Sequence, residues 1–105
     1  MRKSSKGTRI DLWLDEADLS LLRGLAQDTS ATLQRVIEVA LSHTRPDELP
    51  SKMSAYKRVE RVSFNMDGLA IQQLDRLVAA SGLRKQDVLR VAIRRLATEL
   101  AKEHG

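Results

Sequence analysis

Two stretches of strict alternation stand 52 residues apart in the chain. Ile10, Leu12 and Leu14 alternate with Arg9, Asp11 and Trp13, and Val62, Phe64 and Met66 alternate with Arg61, Ser63 and Asn65. A period of two over six residues predicts a short strand with one buried face at each place. Asp15 and Asp67 follow as N-cap candidates, and Asp18 adds negative charge to the first turn beyond Asp15. The spacing of Leu19, Leu22, Leu25 and Ala26 predicts a helix near 16–28, and Ile71, Leu74, Leu77 and Val78 predict its counterpart near 68–80. Gly82 suits the left-handed residue that ends a helix. Second helices are predicted near 32–43, with Val36, Ile37, Ala40 and Leu41, and near 84–103, with Val88, Leu89, Ala92 and Ile93. Val39 and Val91 widen their apolar arcs, so both are expected to be buried on more than one side.

The two halves repeat one another. Shifting the chain by 52 positions lays Arg9–Ala26 on Arg61–Val78 without a gap, and Gln34, Val36, Val39 and Ala40 on Gln86, Val88, Val91 and Ala92. Chance likeness of two amphipathic helices does not keep a strand, a cap and two helices in one register. Four segments follow: a flexible basic arm at 1–8, a first unit at 9–44, a linker at 45–60 and a second unit at 61–103. Pro46 and Pro50 stop the preceding helix and stiffen the linker. One strand–helix–helix unit leaves backbone groups unpaired on both strand edges and apolar helix surface uncovered. Two copies remove both deficits if the strands pair and the four helices interlock beneath them.

At 105 residues the chain has room for one core, and with one Trp, one Tyr and one Phe that core must be aliphatic. There is no cysteine, which excludes disulfides, thiolate catalysis and Cys-type zinc sites; His43 and His104 are the only histidines. No metal set, catalytic base or nucleophile pair is apparent, so an enzyme is not expected. No run approaches the ~20 apolar residues of a membrane span, and no signal peptide is visible. The net charge of +4 is unevenly spread. Residues 1–9 carry Arg2, Lys3, Lys6 and Arg9 with no acid, residues 10–50 hold eight acids against three bases, and basic clusters return at 52–61 and 84–95. Three such clusters on a small chain point to a polyanionic partner, nucleic acid first.

In these features the chain resembles the ribbon-helix-helix superfamily of Arc- and MetJ-type repressors, over residues 9–44 and 61–103. The second unit carries the resemblance more closely, through its Arg-x-Ser-x-Asn strand face at 61–65 and the SGLRKQDVL connection. A single-chain form similar to TraY-like conjugation proteins is implied. The expected fold is mainly α with a short two-stranded antiparallel ribbon, a tandem β-α-α-linker-β-α-α forming one intramolecular pseudo-dimer. The resemblance implies double-stranded DNA as partner, further copies side by side on it, and neither cofactor nor small-molecule substrate.

A two-stranded ribbon fits the major groove, so its outward side chains are the candidate base contacts. Arg61 suits guanine, Asn65 suits adenine and Ser63 suits either; an ordinary solvent-facing strand is the alternative. Arg9 is equally apt. Asp11 meets phosphate repulsion unless it accepts from cytosine N4, and Trp13 either meets a thymine methyl or sugar edge, or packs on the linker or another chain. Phosphate contacts are expected at the starts of the second helices, from Thr32, Arg84 and Lys85, and from Arg2, Lys3 and Lys6 of the arm. Arg90, Arg94 and Arg95 suit either partner contacts or simple solvation.

Two other readings compete. Val78, Gly82 and Val88 have nearly helix-turn-helix spacing, which leaves both strands and the duplication unexplained. An antitoxin-type protein-interaction module would be expected to carry a longer segment beyond the last helix. Within DNA binding, a transcriptional repressor and an accessory protein near a conjugative transfer origin share the same physical act. The setting implied is the cytoplasm of a bacterium, on a chromosomal, phage or plasmid gene, with the protein held at the nucleoid by DNA.

Overall fold

Thr8–Leu14 (β1) and Glu60–Met66 (β2) pair antiparallel in a two-stranded sheet, with Asp11 opposite Ser63 at its middle. The computed structural model describes residues 8–104. The alternation puts Ile10, Leu12, Leu14, Val62 and Met66 on the buried side and leaves Arg9, Asp11, Arg61, Ser63 and Asn65 exposed. Each strand feeds directly into a capped helix. Asp15 accepts the Asp18 N–H at 2.8 Å ahead of α1 (Glu16–Thr29), and Asp67 accepts the Ala70 N–H at 2.9 Å ahead of α3 (Gly68–Ser81). Thr32 caps α2 (Leu33–Ser42) by accepting the Arg35 N–H at 3.1 Å, and α4 (Lys85–His104) follows Arg84. Gly82 ends α3 in the left-handed region at φ 77°, and Ser30, its equivalent in the repeat, ends α1 there at φ 55°. A helix C-cap is one of the places where a non-glycine residue is held in that region.

This architecture corrects the expected fold class. In place of a tandem β-α-α-linker-β-α-α, the described residues form one two-stranded sheet, with strands at Thr8–Leu14 and Glu60–Met66, and four helices. The strand pairing was expected; among the described residues each strand's only sheet partner lies in the other half of the chain, so the halves are parts of one sheet-and-helix layer and not repeated units in tandem. A 3-10 turn at Pro46–Glu48 also interrupts the path between α2 and β2. One aliphatic core serves all elements, with Leu12, Leu14, Leu22, Ile37, Leu41, Met66, Leu74, Leu77, Leu89 and Ile93 fully buried. No helix among the described residues is long and apolar enough to cross a membrane.

A buried ion cluster joins α1 to α4. Asp18 is 0% exposed and Arg90 2%. Arg90 Nε donates to Asp18 at 2.9 Å, Arg94 Nε donates at 2.7 Å and Arg94 Nη2 at 3.1 Å. Asp15 at 3.6 Å and Asp87 at 3.5 Å complete the acidic surroundings of Arg90. Burial pushes the Asp18 carboxyl up, but hydrogen bonds from Arg94 and Arg90 outweigh it and hold the group below its usual value of 3.8. Arg95 donates to Glu48 and so fastens α4 to the 3-10 turn. All three arginines thus have partners within the chain, and Arg90 is structural rather than solvated.

Removing one partner of such a buried pair strands the other charge. Asp18→Ala should lower unfolding stability by about 3–5 kcal/mol in a urea titration followed by helical circular dichroism. An effect within the scatter of surface substitutions would show that the cluster carries no stability. Because the folded Asp18 carboxyl lies below its unfolded value, its contribution is fully present above pH 4 and fades as pH falls through the folded value. Asp18→Asn should therefore flatten the acid limb of the stability curve while leaving its slope near pH 7 unchanged.

Candidate nucleic-acid interface

The six candidate base-contacting residues fall on one face because the register is in phase. Arg9 stands opposite Asn65, Asp11 opposite Ser63 and Trp13 opposite Arg61. Five are exposed and Trp13 is half-buried. One end of the ribbon therefore carries an arginine beside an asparagine, and the other an arginine beside a tryptophan. At the middle, Ser63 Oγ donates to Asp11 Oδ1 at 2.6 Å, and Arg9 Nε lies 3.7 Å from the same oxygen. The Ser63 hydrogen bond, aided by the charges of Arg61 and Arg9, holds the Asp11 carboxyl below its usual 3.8. The carboxylate is thus already compensated within the sheet before any polyanion approaches.

The open edge of β1 at Trp13 is closed by side chains from elsewhere. Gln86 Oε1 accepts the Trp13 N–H at 3.4 Å, and the Tyr56 hydroxyl donates to the Trp13 carbonyl at 2.8 Å while lying 2.9 Å from Gln86 Oε1. These bonds satisfy groups that an edge strand otherwise offers to any passing chain. The Tyr56 ring in turn lies 3.5 Å from the Arg90 guanidinium, centroid to Cζ, and 6.0 Å from that of Arg58. A continuous path of contacts therefore leads from the Asp18 cluster through Arg90 and Tyr56 to the backbone of the outer face.

The candidate phosphate contacts are distributed unevenly. Arg84 and Lys85 are exposed at the start of α4. With Arg58, Tyr56, Gln86 and Asp87 they line a cavity of about 430 Å³ against the segment 53–56. Three cations there surround the first turn of a helix, which suits an anion. At the start of α2, the Thr32 hydroxyl is occupied in capping and Arg35 is the nearest cation in sequence. Gln34, the repeat equivalent of Gln86, donates to Glu38 at 3.2 Å instead of meeting the sheet. Arg2, Lys3 and Lys6 lie outside the described residues. No group of three or more potential metal ligands occurs among the described residues.

Sequence reasoning missed Tyr56, Gln86 and Arg58. Tyr56 is the only tyrosine and sits among polar and basic residues, which is the one signal that it has a fixed partner. The buried cluster was missed as well, and its one trace in the sequence is a difference between the repeat copies. Asp18 and Arg90 correspond to Ala70 and Glu38, and these line a cavity of about 180 Å³ in place of an ion pair. Comparison of the chain with protein-family models, curated proteins and solved structures found no match.

Tyr56→Phe should cost about 1 kcal/mol, the net worth of a hydrogen bond whose acceptor stays half-buried. Tyr56→Ala should cost more, because the cation–π contact of a desolvated arginine contributes roughly 2 kcal/mol in addition. Equal stability of both variants and the parent in urea would show that the segment around Tyr56 is not anchored.

Proposed function

We propose that the chain is a sequence-specific double-stranded DNA-binding protein, a regulator of the ribbon-helix-helix kind that represses transcription by laying its β-ribbon in the major groove. The observation that carries this reading is the common outer face of the two strands, where Arg9, Asp11, Trp13, Arg61, Ser63 and Asn65 project from one ribbon. A ribbon of two strands matches the width of the major groove, where each base pair shows its own pattern of donors and acceptors. Arg9 and Arg61 offer the fork that matches guanine O6 and N7, and Asn65 offers the amide that matches adenine. Arg84 and Lys85 supply backbone attraction, which fixes register and carries no sequence information. The two ends of the ribbon differ in composition, so the preferred site is not palindromic within one chain. Copies bound side by side, about one helical turn apart, provide the remaining specificity. The protein acts in the bacterial cytoplasm, at the nucleoid.

Selection from a random duplex library at near-physiological salt tests the reading directly, and a short recurrent motif is the expected result. Retention without a motif would make the protein a nonspecific binder, and no retention would contradict DNA binding. On the recovered site, Arg61→Ala and Asn65→Ala should each lose about 1–3 kcal/mol of discrimination against the wrong base. Lys85→Ala should instead weaken all duplexes alike and reduce the slope of log K against log salt by about 1.

A further inference from the structure

The ribbon's centre differs in hydrogen-bonding character from its ends. Asp11 and Ser63 are opposite one another in the sheet, and they are also equivalent positions of the 52-residue repeat, so the middle of the reading face lies between them. A hydroxyl has one proton and an ionised carboxylate has none. The 2.6 Å bond therefore runs from Ser63 Oγ to Asp11 Oδ1, and it consumes the only side-chain proton at the centre. Its length is in the range of charge-assisted O–H···O⁻ bonds, which are the stronger kind. The depressed Asp11 carboxyl keeps the group ionised throughout the neutral range. What the pair can still present outward is Asp11 Oδ2 and the lone pairs of Ser63 Oγ, all acceptors.

We propose that Asp11 and Ser63 together form an acceptor-only centre that selects an amino-bearing base, adenine or cytosine, over a keto base, guanine or thymine, at the middle of the bound site. The inference rests on the DNA-binding reading above. In the major groove adenine N6 and cytosine N4 are donors, whereas adenine N7, guanine O6 and N7 and thymine O4 are acceptors, so each pair carries one amine and its orientation decides whether that amine faces the ribbon's centre. A keto base facing the pair sets acceptor against acceptor, or requires Ser63 to abandon its short bond and leave the carboxylate without its donor. Either way a polar group is desolvated without a partner, and that penalty drives discrimination more than the bond formed with the right base. Arg9 and Arg61 flank the centre and offset the repulsion between Asp11 and the phosphates. The ribbon thus alternates donor, acceptor and donor along its length, a pattern that a serine free to rotate would not impose.

The experiment is duplex selection with the parent chain and with Arg9→Ala, Arg61→Ala, Asp11→Asn and Asp11→Ala, using full-length protein. The positions relaxed by the two arginine variants bracket the central one. The parent chain should fix the orientation of the central pair, with adenine or cytosine on one strand and its keto partner on the other, instead of admitting both orientations. Asp11→Asn introduces a donor and should admit guanine or thymine, and Asp11→Ala should lose the preference by freeing the Ser63 proton. On the selected site, replacing the central adenine by purine, or cytosine by 2-pyrimidinone, deletes only the amine. That change should weaken the parent chain about tenfold and leave Asp11→Ala unaffected. A recovered motif that admits both orientations of the central pair, or equal affinity after amine deletion, overturns the inference while DNA reading stands. Retention of no duplex by the parent chain overturns the DNA reading, and the inference with it.

Discussion

A strand of seven residues leaves its N–H and C=O groups without partners, and among the described residues neither Thr8–Leu14 nor Glu60–Met66 has a sheet neighbour in its own half of the chain. Their mutual pairing is the constraint on which the rest depends. It brings Leu12 and Leu14 under the same roof as Val62 and Met66, and so closes one core over all four helices. It also fixes which side chains share the outer face. A slip of one residue in β2 would turn Arg61, Ser63 and Asn65 into the core and expose Val62 and Met66. The apolar cost of that exchange is what locks the register of the candidate reading surface.

The second organising feature is the asymmetry between halves that share a common pattern. Asp18, Arg90 and Arg94 form a buried cluster on one side, whereas Ala70, Glu38 and Ser42 at the equivalent positions line a small cavity. A buried ion pair is weak support for stability compared with apolar packing, but it is demanding in geometry. Here it holds Arg90 beneath the Tyr56 ring, and Tyr56 and Gln86 hold the backbone of Trp13. The cations at the start of α4 are on this same side. One end of the ribbon is therefore buttressed and flanked by positive charge, and the other relies on strand pairing and the Thr32 cap. Under the proposed function, this asymmetry favours one orientation of the chain on a duplex.

Much of the local structure was legible in the sequence, because its causes are local. Period-two alternation placed the strands, Asp15 and Asp67 announced their caps, and Gly82 marked the end of α3. The left-handed Ser30 lacked a residue signal of its own, though its equivalence to Gly82 in the repeat gave one. The pairing of the two strands was legible in the duplication, but the tandem β-α-α-linker-β-α-α drawn from it gives way to one two-stranded sheet, at Thr8–Leu14 and Glu60–Met66, with four helices. Arg90 looked like surface charge because its partner Asp18 lies 72 positions away and no helical periodicity links them. The Asp11–Ser63 bond was hidden for a similar reason. Alternation shows that both residues face outward, but only the register shows that they face each other.

The central claim is that the outer face of the ribbon meets the duplex. Backbone and side-chain resonances of isotope-labelled protein, titrated with the duplex recovered by selection, test it most directly. The account predicts that the largest shifts fall on Arg9, Asp11, Trp13, Arg61, Ser63 and Asn65, with smaller ones at Arg84 and Lys85 and little change in the buried core. Shifts concentrated instead on the helices away from the ribbon, with the strand residues unmoved, would contradict it.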